Sequence, residues 1–162
     1  MNKKIIFLII TIILIIGFYL GIKNIAAYRI EGHSMNPTLY EYEVVIGIRT
    51  NKIERGDIIA FQKKDQHLAI KRVIGLPGET INILEDGTVI INGNLVDEPY
   101  LDSKEIKRVE LEFPFQIPEG EYFVLGDNRI DSLDSKNFQI GTIKKSEIEA
   151  KIIFRINPFK KF

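Results

Sequence analysis

Lys71 stands out in the sequence because it interrupts an apolar run, Ala69–Gly75, that is typical of a β-strand. Strand side chains alternate between two faces, so Lys71 shares its face with Ala69 and Val73, while Arg72 points the other way. Burial among apolar groups lowers the pKa of a lysine, and a neutral lysine can serve as a general base. The alternative is a structural lysine whose stem is covered while its ammonium group reaches water.

A serine that such a base could activate lies in the segment “EGHSMNPTLYEYE”. Gly32 lets the backbone turn freely just before Ser34, and Pro37 fixes the chain direction just after it. A serine hydroxyl becomes nucleophilic when a neighbouring base accepts its proton, so Ser34 and Lys71 together predict serine–lysine catalysis. On its own, the Ser-Met-Asn-Pro stretch is also typical of an ordinary turn.

The histidines offer the alternative base, and the chain contains two of them, His33 and His67. The side chain of His33 would point away from that of Ser34, its neighbour in an extended chain. His67 shares the strand face of Lys71, but no carboxylate is obviously placed to orient it as in a Ser-His-Asp triad. Lys71 is therefore the favoured base, and His67 stays open as the alternative.

The composition argues against several other kinds of site. The chain has no cysteine, so disulfide bonds, thiolate chemistry and cysteine-ligated zinc are excluded, and two histidines do not favour a catalytic zinc site. The 22 basic and 22 acidic residues give a formal net charge of zero without a basic block, which argues against nucleic-acid binding. We expect no metal and no organic cofactor.

An apolar stretch near the N-terminus predicts a membrane anchor. Residues 5–22, “IIFLIITIILIIGFYLGI”, carry no charge and are long enough to cross the hydrocarbon core of a bilayer. A cleaved secretory signal, whose apolar core runs about 7–15 residues, is the alternative, and Ala26 and Ala27 just beyond the run would suit it. The length of the run favours an uncleaved transmembrane helix.

Charges that flank this apolar stretch predict its orientation. Lys3, Lys4 and the N-terminal amine precede it and together outweigh Lys23, which follows it. The positive-inside tendency then assigns residues 1–4 to a cytoplasmic tail and residues 23–162 to an extracytoplasmic domain. The expected location is the cell membrane, crossed once.

Residues 23–162 are predicted to form a β-rich domain, because period-two patterns and short apolar runs take the place of helical periodicity. Tight turns are predicted at Glu85-Asp86-Gly87 and at Asn92-Gly93. The pattern favours packed antiparallel sheets or a partly open β-barrel behind the single transmembrane helix. The predicted strands are “EVVIGI”, “DIIAF”, “AIKRVIG”, “ETINIL”, “TVIING”, “EYFVLG” and “KIIFRI”.

Two further segments are predicted to lie outside the sheets. The stretch “KRVELEFPFQIPEGE” carries many charges and two prolines, which predicts an exposed excursion. The last six residues, “NPFKKF”, predict a frayed tail, with contact to a membrane surface as the alternative.

Four stretches occur in the order “GHSMNPTL”, “RGDIIAF”, “KRVIGLPGE” and “GDNRIDSLDSKNFQIG”, after the single apolar span. Together they resemble the motif boxes of the type I signal peptidases, in the short form found in Gram-positive bacteria, and the resemblance covers nearly the whole chain. It implies a membrane-anchored serine endopeptidase. Its expected substrates are the signal peptides of exported preproteins, cut after small residues at the −3 and −1 positions.

The resemblance also assigns roles by position. Ser34 matches the nucleophile, and Lys71 matches the general base. Ser132 matches a serine that hydrogen-bonds the base lysine and holds it towards the nucleophile. The structural polar positions that hold this loop beside the site correspond to Asp127, Arg129 and Asp134.

Three positions depart from the pattern of the family. Lys136 stands where arginine is common, so an ion pair to Asp134 can persist but the planar bidentate geometry cannot. Asp131 stands where asparagine is frequent and adds a negative charge near the site. Gly32 stands where some relatives carry a serine that donates to the oxyanion, which leaves the backbone amide of Ser34 as the clearer donor.

The substrate contacts and the competing functions complete the sequence-based prediction. Ile30, Met35 and Leu39 flank the serine and are predicted to line shallow apolar subsites. One rival is another serine–lysine peptidase, such as a self-cleaving SOS repressor, which the anchor argues against, or a conjugation-pilus processing enzyme, which differs mainly in substrate. The other is a membrane-tethered β-domain that binds partners without catalysis, which the presence of Ser34 and Lys71 argues against.

Overall fold

The computed structural model describes residue 7 and residues 10–12, 23–62, 67–156 and 159–162. The predicted cytoplasmic tail, residues 1–4, therefore lies outside the described residues. Of the predicted transmembrane span, only residue 7 and residues 10–12 are described. Within the described part of the chain, no helix has both the length and the apolar character needed to cross a membrane.

Twelve strands and one 3-10 helix form within residues 23–62, 67–156 and 159–162. The helix, Lys145–Glu147, leads directly into the second-last strand. The strands are β1 (Ile25–Arg29), β2 (Val44–Ile48), β3 (Ile58–Gln62), β4 (Leu68–Gly75), β5 (Thr80–Ile83), β6 (Val89–Ile91), β7 (Asn94–Leu95), β8 (Phe115–Gln116), β9 (Glu121–Leu125), β10 (Ile143–Lys144), β11 (Ile148–Arg155) and β12 (Lys160–Lys161).

The strands assemble into two sheets. The larger follows the order β1-β2-β11-β3-β4-β9-β10, with β12 paired to β11, and the smaller follows β7-β6-β5-β8. Every pairing in both sheets is antiparallel. The predicted mainly β fold of antiparallel sheets is therefore confirmed.

Strand β3 shows how the larger sheet is buried on both of its faces. Ile59 and Phe61 point into one hydrophobic cluster, and the alternating residues Ile58 and Ala60 point into another. A near-continuous apolar run such as “IIAF” is what a strand covered on both faces requires. A third cluster joins the smaller sheet to β4 and β9 through Ile74, Ile81, Val89, Phe123 and Leu125.

Both predicted tight turns are present in the smaller sheet. Gly87 has a φ of +82°, and a side chain there would collide with the backbone carbonyl of Lys104. Asn92 and Gly93 have φ values of +51° and +82°, so both central residues of this hairpin are left-handed, as a type I′ turn requires.

The predicted excursion is held to the core more firmly than its charges indicate. Most of residues 107–121 is exposed, but Phe115–Gln116 form β8 and pair with β5. The rings of Phe113 and Phe115 pack with centroids 6.2 and 6.1 Å from that of Phe123. Apolar residues spaced between the charges therefore anchor this segment to the third cluster.

The prediction of a frayed C-terminal tail was wrong for residues 159–162. Lys160–Lys161 form β12 against β11, and the backbone N–H of Phe162 donates to the carbonyl of Ile153 at 2.9 Å. The ring of Phe159 stacks on that of Phe154, with a centroid distance of 5.7 Å. Main-chain pairing and this stacking therefore hold the segment against β11, although its lysines favour contact with water.

Candidate active site

The loop after β1 and strand β4 bring Ser34 and Lys71 into contact. The Nζ of Lys71 lies 2.6 Å from the Oγ of Ser34, and it also donates to the backbone carbonyl of Ile70 at 3.2 Å. Lys71 is only 6% exposed, so its ammonium group does not stand in open water as the structural alternative requires. The predicted nucleophile and the predicted base are therefore within hydrogen-bond distance of each other.

Strand β4 positions Lys71 because the strand is paired on both sides at this point. Lys71 lies opposite Ile59 of β3, and the next residue, Arg72, lies opposite Leu125 of β9. Such pairing fixes the backbone direction, and strand alternation then sends the two basic side chains to opposite faces.

The loop that carries the serine is closed at its neck by backbone hydrogen bonds. The N–H of Ile30 donates to the carbonyl of Glu43 at 2.8 Å, and the N–H of Tyr42 donates to the carbonyl of Ile30 at 2.9 Å. Inside the loop, the N–H of Leu39 donates to the carbonyl of Met35 at 2.9 Å, and both of these side chains are buried. The serine is thus held on a short loop with apolar anchors on its inner side.

Asn128 ties the serine loop to the loop that follows β9. Its backbone N–H donates to the carbonyl of Ser34 at 3.0 Å, and its side-chain amide donates to the carbonyl of His33 at 3.3 Å. The sequence predicted no role for Asn128, although the residue lies in the “GDNR” motif. Its place in that motif is the signal that could have found it.

Arg72 and Asp127 form a buried, bidentate ion pair on the face of β4 opposite Lys71. The Nε and Nη2 atoms of Arg72 donate to the two carboxylate oxygens of Asp127 at 2.9 and 2.5 Å. Arg72 also donates to the carbonyl of Gly56 at 2.8 Å. Asp127 therefore connects the loop after β9 to the strand that carries Lys71.

Ser132 is buried close to the serine loop, but it does not make the hydrogen bond that the resemblance implies. Its hydroxyl is buried and forms no hydrogen bond to any described residue. A side chain at Gly126 would collide with both the Oγ of Ser132 and the carbonyl oxygen of Ser34. The bare Gly126 backbone therefore lets the Ser132 hydroxyl approach the backbone of Ser34.

Lys136 forms the ion pair to Asp134 that the sequence comparison of lysine with arginine left possible. Its Nζ lies 3.0 Å from each carboxylate oxygen of Asp134 and donates to the carbonyl of Ser132 at 2.7 Å. Asp134 also accepts from the N–H of Gly126 at 3.0 Å. A point charge thus satisfies both oxygens at once and fixes the backbone on both sides of Ser132. Asp131, the other departure in this loop, is exposed.

Arg129 binds a carboxylate that the sequence reasoning missed. Its terminal nitrogens donate to the two oxygens of Glu98 at 3.2 and 2.5 Å, and its Nε donates to the carbonyl of Gly126 at 3.1 Å. Glu98 also accepts from the hydroxyl of Tyr100 at 2.7 Å. Burial, and then the charge of Glu98, raises the pKa of Tyr100. No local sequence pattern marks “DEPYL” as a partner of a loop 31 residues away.

A groove of about 480 Å³ opens beside the Ser34–Lys71 pair. Its walls are residues 29–31 at the end of β1, Ser34 and Met35 of the serine loop, residues 67–71 at the start of β4, and Leu133. Of the predicted subsite residues, the structure places Ile30 and Met35 in this wall.

Leu39 and His67 occupy places that the sequence pattern did not distinguish. Leu39 is fully buried in a hydrophobic cluster of the larger sheet and does not line the groove, because the turn closed by its own N–H points it inward. Its predicted contact with substrate is therefore corrected to a core position. His67 is exposed, and it lines the groove just before β4.

Comparisons with known proteins identify the family. The family model described as signal peptidase, peptidase S26, matches residues 3–157. A signal peptidase I of Bacillus licheniformis is 39% identical over 82% of this chain and 76% of its own length. A signal peptidase IB of Staphylococcus aureus strain Mu50 is 36% identical over 94% of this chain and 88% of its own length.

A solved structure agrees with the sequence relatives. The crystal structure of a signal peptidase I from Enterococcus faecalis V583 is 37% identical, with a TM-score of 0.53. The match covers 62% of this chain and 96% of that one. The chain belongs to the signal peptidase family, peptidase S26, and is a serine endopeptidase of that family.

Proposed function

We propose that the chain cleaves the signal peptides of exported preproteins with Ser34 as nucleophile and Lys71 as general base. The single observation that carries this assignment is the distance of 2.6 Å between the Nζ of Lys71 and the Oγ of Ser34. The burial of Lys71 supports it, since removal from water disfavours the ammonium form and lowers the pKa of a lysine. A neutral Lys71 accepts a hydrogen bond from the serine hydroxyl at the same separation.

In the first half of the reaction, Lys71 takes the hydroxyl proton while the Oγ of Ser34 bonds to the scissile carbonyl carbon. The backbone N–H of Ser34 is a donor for the oxyanion that forms. Lys71 then gives its proton to the leaving amine as the C–N bond breaks, which leaves an ester on Ser34. In the second half, Lys71 takes a proton from a water molecule as the water oxygen bonds to the ester carbon, and the C–O bond to Ser34 then breaks as the proton returns to the Oγ of Ser34 and the carboxyl product leaves.

The edge of β4 supports binding of the substrate as an extended strand. Within the described residues, Leu68–Ile70 pair with β3 on one side, and β9 pairs with β4 only from Arg72 onward. A peptide laid along this open edge would pass the Ser34–Lys71 pair and gain main-chain hydrogen bonds. The large side chains of Ile30, Met35 and Leu133 occupy the wall of the groove, which favours small residues at the −3 and −1 positions.

The apolar run of residues 5–22 supports a membrane anchor, with residues 1–4 in the cytoplasm and residues 23–162 outside it. Strand β1 begins at Ile25, so the folded domain starts three residues beyond the proposed span. A preprotein inserted in the same bilayer presents its cleavage region close to this domain. Lipid and signal peptide are therefore the proposed partners.

The test is cleavage of a model preprotein by the purified full chain in detergent micelles. Ser34→Ala and Lys71→Ala should each abolish cleavage while the circular dichroism spectrum stays that of the parent. Ser146→Ala is the matched control, because Ser146 is exposed in the 3-10 helix far along the chain. Cleavage by either variant at the parent rate would contradict the assignment, and no cleavage by the parent chain would favour the binding module.

A further inference from the structure

Three buried side chains, Arg72, Glu98 and Arg129, and the partly buried Tyr100 form a continuous polar network beside the strand that carries Lys71. Arg129 donates to both oxygens of Glu98, and the hydroxyl of Tyr100 donates to the same carboxylate at 2.7 Å. The guanidinium carbon of Arg72 then lies over the ring of Tyr100, 3.9 Å from its centroid. One carboxylate and one aromatic ring thus join two arginines from different elements.

Each arginine is fixed to a segment that builds the candidate site. Arg72 directly follows Lys71 in β4 and holds the carboxylate of Asp127. Arg129 donates from its Nε to the carbonyl of Gly126, whose backbone lies against Ser132. Arg72 therefore holds the strand that carries Lys71, and Arg129 holds the loop after β9.

Glu98 and Tyr100 come from outside both of these segments. They lie between β7 of the smaller sheet and β8, and neither of them lines the groove. The side chains of Glu98 and Arg129 are fully shielded from solvent, so a loss of either partner leaves an uncompensated buried charge. The ring of Tyr100 covers the guanidinium group of Arg72 and keeps water from its ion pair with Asp127.

We propose that Glu98 and Tyr100 are positioning residues for cleavage, which act by holding Arg72 and Arg129 and so set the separation of Lys71 from Ser34. This inference rests on the proposed roles of those two residues. We call Glu98 and Tyr100 the clamp. Both residues lie in the segment that follows β7, so the inference gives the smaller sheet a role in positioning the site.

The clamp acts through Lys71, so the charged groups around Lys71 must stay the same in the variants for the pH dependence of cleavage to be interpretable. Arg29 and Glu31 from the end of β1, and His67 ahead of β4, line the same groove as Lys71. A substitution of Tyr100 changes none of these charges. Any shift in the pH dependence of cleavage then reports the position and solvation of Lys71 rather than a new charge nearby.

The experiment compares Tyr100→Leu, Tyr100→Phe and Glu98→Gln with the parent, as full chains in detergent with one preprotein substrate. Phe159→Leu is the matched control, because it removes a ring that is 76% exposed and lies between β11 and β12, outside the serine loop and β4. We expect Tyr100→Leu to lower kcat about tenfold with KM within about twofold, since the clamp does not touch the substrate. Glu98→Gln should show the same split, and Tyr100→Phe, which keeps the ring over Arg72, should restore kcat to within about threefold of the parent.

The pH profile separates positioning from simple loss of folded protein. Loss of the ring over Arg72 in Tyr100→Leu lets β4 shift and opens the contact between Lys71 and Ser34 to water, so the midpoint of kcat/KM against pH should move to higher pH. A variant that merely contains fewer folded molecules loses rate equally at every pH and keeps the midpoint. An unchanged midpoint together with unchanged kcat per folded molecule overturns the proposal.

The variants Ser34→Ala and Lys71→Ala distinguish this failure from a failure of the proposed function. If both stay inactive at every pH while Tyr100→Leu behaves like the parent, the clamp is wrong and the nucleophile and base stand. If Ser34→Ala retains cleavage, the assignment on which the clamp rests is wrong. Should Tyr100→Leu fail to fold, the kcat-to-KM split of Glu98→Gln decides the proposal.

Discussion

The ammonium group of Lys136 donates to the backbone carbonyl of Ser132 at 2.7 Å while it lies equidistant from both oxygens of Asp134. All three residues are buried, so this ion pair works in a low dielectric where a missing partner is costly. The interior cation of Lys136 therefore helps to hold the loop around Ser132.

Lys136→Met should lower the free energy of unfolding by about 3–5 kcal/mol, because it leaves the carboxylate of Asp134 buried without its counter-charge. Chemical denaturation of the full chain in detergent measures the loss. Lys145→Met, at an exposed position, is the control and should change the free energy of unfolding by less than about 0.5 kcal/mol. Equal effects at the two positions would show that the buried ion pair does not hold this loop.

Gly126→Ala should abolish cleavage, and it should lower the free energy of unfolding by less than Lys136→Met does. The added methyl group would collide with the Oγ of Ser132 and the carbonyl oxygen of Ser34, so the serine loop must move away from Lys71. Ser146→Ala is the control, because Ser146 is exposed in the 3-10 helix and its substitution brings no atom near Ser34 or Ser132. Parent-like turnover by Gly126→Ala would mean that the close approach at Gly126 is unimportant.

Lys71→Arg should be inactive, whereas His67→Ala should keep cleavage within about threefold of the parent. A guanidinium group stays protonated and cannot accept the hydroxyl proton of Ser34. His67 is exposed and lines the groove, whereas the Nζ of Lys71 lies 2.6 Å from the Oγ of Ser34. Initial rates on a preprotein decide between them, and the reverse pattern would make His67 the base.

The pH dependence of kcat/KM should rise as the base of the free enzyme loses its proton. For a buried lysine, desolvation disfavours the charged form, so the midpoint should lie below the reference of about 10.4 and above the imidazole reference of about 6.5. Activity is thus present above the midpoint and lost as the pH falls through it. A midpoint at the imidazole value that disappears in His67→Ala would assign the titration to the histidine.

Protease added to intact spheroplasts should digest residues 23–162. The charges before the apolar run predict that its N-terminal end lies in the cytoplasm and that residues 23–162 lie outside. Immunoblotting against the C-terminus follows the loss, with a cytoplasmic protein as the control for lysis. Full protection of the C-terminus under these conditions would invert the proposed topology.

The sequence was most informative where chemistry and local periodicity agree. The apolar strand around Lys71 and the turn residues around Ser34 indicated both side chains of the pair, and Gly87 and Gly93 marked hairpins through their backbone freedom. Leu39 was misplaced, because spacing along the chain does not tell which way a single turn points its side chains. Nothing local pairs Glu98 with Arg129, since the two residues are 31 positions apart and are brought together by tertiary packing.

The two halves of the Ser34–Lys71 pair stand on parts of the fold with different local stability. Lys71 pairs with Ile59 of β3, and from Arg72 onward its strand is also paired with β9, so the amides of this part of β4 should be among the last to exchange with solvent deuterium. Ser34 stands on a loop closed by a few backbone bonds, whose local opening costs less than global unfolding. Thermal fluctuations therefore separate the pair by moving the serine, and compounds that brace its loop should slow exchange there before they change the melting temperature.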